Sequence, residues 1–210
     1  VKKVKEDAGV TTKKVVASLP ESEVISRLKW FPPMKENEIR SALRFEAETF
    51  IPYQLEKVQL DYQIVDKDEE GRVLVFVVAA PKDIVNKYVD LGKKAKIDVV
   101  ALETPAVALA RYFSINQMST LIIDMAYKHS YFVACKASQV YLTRTVPIGA
   151  QSYARAISLS LGLDENEAES YRRAYGFQDD ELEGKVKQAM EPVWEKYIDN
   201  IKKTLISFKE

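Results

Sequence analysis

Val58, Leu60, Tyr62 and Ile64 alternate with Gln59, Asp61 and Gln63, a period of two that predicts a half-buried strand with those four apolar residues on its inner face. The acidic turn "DKDEEG" follows, and "RVLVFVVAA" is an unbroken apolar run suited to a central strand. Upstream, Ile39, Ala42, Leu43, Ala47, Phe50 and Ile51 recur at helical spacing in "KENEIRSALRFEAETFI", predicting a helix with one buried stripe that Pro52 ends. "KKVVASLP" and "EVISRLKWF" read as strands stopped by Pro20 and by Pro32-Pro33. Pro81 opens the helix "KDIVNKYVDLGKKA", and "IDVVALE" is a further strand. Residues 20–103 therefore run strand, helix, strand, strand, helix, strand. That is an α/β unit with helices layered on an antiparallel or mixed sheet.

Thr104 and Pro105 cap a short helix, "PAVALARYF", and the polar "SINQMS" leads as a hinge into the second half. Three strands follow there, "TLIID", "YFVAC" and "QVYLTRTVPI". Gly149 opens the helix "AQSYARAISLSL". Asp164 and Glu167 have capping-box spacing for the next helix, which Gly176 stops. The last helix carries Val186, Met190, Val193, Trp194, Tyr197, Ile201 and Leu205 in register, interrupted by Pro192. At the other end "VKKVKEDAG" reads as final helical turns closed by Gly9.

Composition narrows the function classes. The chain is 47% hydrophobic and 30% charged, with 31 basic and 31 acidic residues, so no net charge favours nucleic acid. The one cysteine, Cys135, sits in an apolar run and reads as a buried thiol, which excludes a disulfide framework. His129 is the one histidine, at a hairpin tip, and neither a zinc site nor a Ser–His–Asp arrangement has a sequence signal. No glycine-rich phosphate motif occurs, and no run approaches the roughly 20 apolar residues of a membrane span. Two stretches keep two meanings each. Asp124, at the end of "TLIID", either helps hold phosphate and magnesium or only ends a strand. "WFPPM" either forms a docking edge or packs on its own helix.

Several phrases in order, "VVASLPESEVISRLKWFPPMKENEIRSALRFEAETFIPYQLEKVQLDYQIV", "VAAPKDIVNKYVDL", "VVALETPAVALAR", "TLIIDMAYKHSYFVACKASQVYLTRTVPIGAQSYARAISLSLGL" and "DENEAESYRRAYG", resemble PilM-like type IV pilus assembly proteins. These are relatives of FtsA with the actin-like ATPase fold. The resemblance covers nearly the whole chain and implies an α/β, actin-like architecture with ribonuclease H-like subdomains and an inserted small α/β subdomain. It implies that residues 1–19 and 97–118 belong to the first large subdomain, 20–96 to the insertion, and 119–210 to the second half, with a helical lobe from about 164. It also implies an internal portion, lacking a first phosphate loop and an adenosine-binding segment, with part of a sheet exposed and self-association as a consequence.

In that family the hairpin after "LIID" is a phosphate loop, Asp-x-Gly followed by Ser or Thr. Carried onto this sequence, the nucleotide-site positions are Asp124, Ala126 where the family has glycine, Ser130 for the hydroxyl, and Gly149. The altered loop and the missing segments imply that ATP and magnesium, cofactors of the family, are not bound by this chain alone, and that it is not an enzyme. The resemblance implies instead a cytoplasmic scaffold held at the inner membrane through partners. It would capture the N-terminal tail of a PilN-like membrane protein in a groove between the first large subdomain and the insertion, alongside other pilus assembly proteins. The residues assigned to that groove are Trp30, Phe31, Pro33, Met34, Ile51, Pro52 and Tyr53. An ATP-dependent switch and an FtsA-like membrane tether are the alternatives.

Overall fold

The computed structural model describes residues 2–179 and 181–209. The chain divides into two units, residues 1–119 with 135–141, and residues 120–134 with 142–210. The first contains α1 (Lys2–Asp7), β1 (Lys14–Ser18), β2 (Ile25–Phe31), α2 (Glu36–Ala47), β3 (Val58–Lys67), β4 (Val73–Pro81), α3 (Lys82–Ala95), β5 (Asp98–Glu103) and α4 (Pro105–Phe113). The second is built on β6 (Thr120–Met125), β7 (Ser130–Lys136), β8 (Gln139–Val146), α5 (Ala150–Leu161), α6 (Glu165–Tyr175) and α7 (Lys185–Lys209), and the tip of its β7–β8 hairpin groups with the first unit.

The apolar run becomes β4, the centre of a three-stranded antiparallel sheet in the order β2-β4-β3. Its alternate residues Val73, Val75 and Val77 pack under α2 with Phe31, Ile39 and Leu43. Each such fully buried aliphatic side chain contributes about 1.5–3 kcal/mol relative to exposure. The opposite parity, Val78 and Ala80, meets Leu19, Val24, Leu102 and the α3 residues Ile84, Val85 and Tyr88. β1 and β5 pair in parallel as a separate two-stranded sheet. α3 packs close against β5 at Gly92, where a Cβ would stand 2.5 Å from the Val99 side chain.

Three elements depart from the sequence pattern. α2 ends at Ala47, before the predicted stop at Pro52, and the Thr49 hydroxyl donates to the Glu46 carbonyl at 2.7 Å as the chain turns. Phe50 and Ile51 remain in the core beside Ala47, Val58 and Ala79. In β3 the register shifts between Ile64 and Asp66, a bulge that leaves Ile64 37% exposed and buries Val65 to 6%. The alternation predicted the reverse at these two positions. Finally, α7 runs unbroken through Pro192. Val186, Ala189 and Met190 anchor it before the proline, and Tyr197 and Ile201 after it, so burial on both sides outweighs the lost amide.

The second unit places Phe132, Val146 and Tyr197 in one cluster and packs α5, α6 and α7 together through Tyr153, Ile157, Ala168 and Met190. Asp164 accepts from the Asn166 and Glu167 amides at 2.8 and 2.9 Å while Glu167 accepts from the Asp164 amide at 3.2 Å, the capping box its spacing predicts. Among the described residues no helix is long and apolar enough to cross a membrane.

Candidate functional site

Asp124 stands half-buried near the end of β6, one residue before the turn Ala126–His129 that leads into β7. The Ala126 amide donates to the His129 carbonyl at 3.0 Å and closes the turn. Among the described residues, non-glycine positions with positive φ are Lys96, Asn116, Ala137, Ser138, Leu182 and Glu183, so Ala126 carries none of the left-handed strain that its replacement of a glycine suggests. The constraint lies at Gly149. A Cβ there would stand 2.5 Å from the Tyr127 carbonyl oxygen, 2.6 Å from that of Ala126 and 2.7 Å from the His129 amide.

That close approach seats the turn on the first residues of α5. The Ala150 amide donates to the Ala126 carbonyl at 3.1 Å and the Gln151 amide to the Tyr127 carbonyl at 2.8 Å. A helix N-terminus presents unpaired amides on which an anion can sit. Here two of them are taken by the turn. Ser130 is fully buried, and its hydroxyl donates to the Ile148 carbonyl at 2.6 Å. Below the turn, burial pushes the Tyr153 phenol up to about 12, with Tyr197 adding to the effect. Burial also raises Tyr197, whose hydroxyl feels Ser130, which lowers it, and Asp124, which raises it. The structure thus brings Asp124, Ser130 and Gly149 around one turn, with the hydroxyl facing inward.

The seven residues assigned to a partner groove are not brought together. Phe31 pairs with Val73 at one end of β4, whereas Ile51 packs beside Ala79 six residues along, about 20 Å away at strand rise. Phe31 and Ile51 are buried at 3% and 5%, and Met34 packs on the same cluster as Phe31. Trp30 is exposed under the Arg72 guanidinium, 5.5 Å from its ring centroid, and Pro33 lies beside Gly71. Pro52 and Tyr53 are exposed at the far end. Two of the seven are core, Met34 is half-buried against the Phe31 cluster, and the rest divide between two ends of one sheet.

A different concavity lies within the first unit. A cleft of about 180 Å³ separates the three-stranded sheet from the β5–α4 corner. Phe76 and Val78 of β4 and Asp61 and Gln63 of β3 form one wall, and Leu19, Leu102, Glu103, Thr104 and Val107 the other. Thr104 fixes the corner by accepting the Val107 amide at the start of α4. Glu103 holds Arg111 through two hydrogen bonds of 2.5 and 2.7 Å at the rim. The cleft is therefore apolar in its floor and charged at its mouth. Sequence reasoning missed these residues because they come from four separate elements and the connections beside β1 and α4. The one usable signal was the parity of β4, which leaves Phe76 and Val78 facing away from α2.

The whole chain, residues 1–210, matches the family described as Type IV pilus assembly protein PilM. The chain belongs to this family. Among solved structures it is similar to a PilM–PilN type IV pilus biogenesis complex, with 25% identity over 99% of this chain and 62% of that one and a TM-score of 0.79. The chain thus spans less than two thirds of that relative's length. It is also similar to the cytoplasmic domain of EpsL, an inner membrane component of the type II secretion system of Vibrio cholerae, at 18% identity, covering 78% of this chain and 61% of that one, TM-score 0.50. MreB5 of Spiroplasma citri bound to AMPPNP matches at 12% identity over 60% of this chain and 47% of that one, TM-score 0.50. The fold is the α/β, actin-like one of PilM and its relatives.

Proposed function

We propose that this chain is an adaptor of a type IV pilus inner-membrane assembly complex, and that it captures the N-terminal tail of a PilN-like membrane protein. The observation that carries this reading is the apolar-floored cleft between β4 and the β5–α4 corner. An extended apolar segment entering a preformed cleft loses little to reorganisation of its host. Membership of the PilM family and the likeness to a PilM–PilN complex supply the partner class. Its place is the cytoplasmic side of the inner membrane, reached through that partner.

The same reading takes the chain alone as a protein that neither binds nor hydrolyses ATP. A relative of this fold is bound to a nucleotide analogue. In this chain the α5 amides of Ala150 and Gln151 are engaged by the turn, and the Ser130 hydroxyl is engaged by Ile148. These residues do not fit a triphosphate.

Calorimetric titration with a synthetic N-terminal peptide of a PilN-like protein, with and without magnesium ATP, tests both halves. The expected result is saturable peptide binding without nucleotide, weakened at least tenfold by Val107→Glu, and no saturable heat from ATP. Peptide binding that requires ATP would favour the switch, and absence of peptide binding in both states would overturn the adaptor.

A further inference from the structure

A second concavity lies on the other side of β3. It encloses about 500 Å³ between α2 and β3 and is lined by Leu43, Leu55, Val58, Leu60 and Tyr62, with Arg40 and Arg44 at its rim. Gln59, Leu60, Asp61 and Tyr62 all line it, residues whose side chains alternate between the two faces of the sheet. A wall made of consecutive residues of both parities is the edge of the strand itself, backbone included. β3 is the terminal strand in the order β2-β4-β3, so its outer edge has no strand partner within that sheet. The bulge that blunts it comes only after Ile64, beyond the stretch that borders the groove.

The charges at the rim are specific. Arg40 and Arg44 are one helical turn apart, exposed, and neither guanidinium forms an ion pair or hydrogen bond with another described residue. Lys82, the third cation of the groove, donates to the Glu56 carbonyl. The carboxylates Glu56 and Asp61 line the β3 side of the groove, so its free positive charge lies on α2. Two forked donors there, beside the apolar residues Leu43, Leu55 and Leu60 and an open strand edge, match one ligand chemistry.

We propose that this groove takes an extended acidic–aliphatic segment of a partner protein, which adds a strand to β3. Its aliphatic residues enter between Leu55, Leu60 and Tyr62, and its carboxylates pair with Arg40 and Arg44. This site is separate from the cleft of the proposed function, although Asp61 and Tyr62 border both.

The probe is a fluorescein-labelled hexapeptide, Asp-Val-Glu-Leu-Asp-Ile with blocked ends, followed by anisotropy on the 210-residue chain. Its Lys-Val-Lys-Leu-Lys-Ile counterpart is the control. The acidic peptide is expected to bind saturably and the basic one not. Arg40→Glu with Arg44→Glu should weaken binding at least tenfold, whereas Arg40→Lys with Arg44→Lys, which keeps the charge and loses the fork, should weaken it by less. Val107→Glu, which disturbs only the cleft, should leave it unchanged, so failure of the adaptor reading and failure of this one are separable. Circular dichroism of each variant confirms folding. Equal binding of both peptides, no saturable binding, or binding indifferent to the arginine reversals would overturn the proposal. So would a dimer abolished by those reversals, because the edge would then be closed by a second copy.

Discussion

Gly149 decides the shape of the candidate phosphate turn more than the residues of the turn do. Its φ of −134° is open to any residue, so its requirement is steric. Backbone atoms of Ala126, Tyr127 and His129 all lie within 2.7 Å of where a Cβ would stand, and no flexible side chain is available to give way. Gly149→Ala is expected to force the turn off α5 and to cost about 1–3 kcal/mol as an overpacked contact does. Urea denaturation followed by circular dichroism measures it, and an unchanged midpoint would show that the turn is not held as described. In the sequence, Ala126 draws attention because it replaces a glycine. The pressure at Gly149 is invisible there, because the atoms it touches lie some 20 residues earlier in the chain.

At the scale of elements, periodicity located every strand of the central sheet but not its faces throughout. "VQLDYQIV" alternates without interruption, and nothing in it marks the bulge, which is fixed by pairing with β4. Past Ile64 the inward position passes to Val65. Ile64→Lys should therefore change stability by no more than about 0.5 kcal/mol, as an exposed substitution does. Val65→Asp should cost about 3 kcal/mol or more, by placing a carboxylate where the side chain is 6% exposed. Thermal unfolding of the two variants side by side checks this, and a larger loss for Ile64→Lys would restore the uninterrupted alternation. The end of α2 escaped for a related reason. Phe50 and Ile51 satisfy the helical stripe and are packed in the core, but burial of a side chain does not require its backbone to be helical. The cleft was illegible altogether, since Leu19, Phe76, Leu102 and Val107 share no local motif and meet only once β4 and β5 are folded.

At the scale of the molecule, the weakest part of the architecture is the parallel pair β1–β5. All-parallel sheets are ordinarily covered on both faces, and a two-stranded sheet is marginal in water. Here α3 covers one side, with Gly92 against Val99 and Tyr88 in the cluster of Leu102, whereas Val16 and Val100 are 47% and 52% exposed. Isolated as 210 residues, the chain should bury these valines and its strand edges against another copy. Light scattering across a concentration series is expected to show a mass rising above that of the 23.9 kDa monomer. Val16→Lys with Val100→Glu should return it to monomer without lowering the unfolding temperature, because neither side chain is in the core. A wild-type chain that stays monomeric at every concentration would mean that two strands and one helix suffice. Association that survives both substitutions would place the contact elsewhere, and the exposed residues Tyr112 and Phe113 at the end of α4, with Ile115 and Met118 beyond it, would be the next surface to alter.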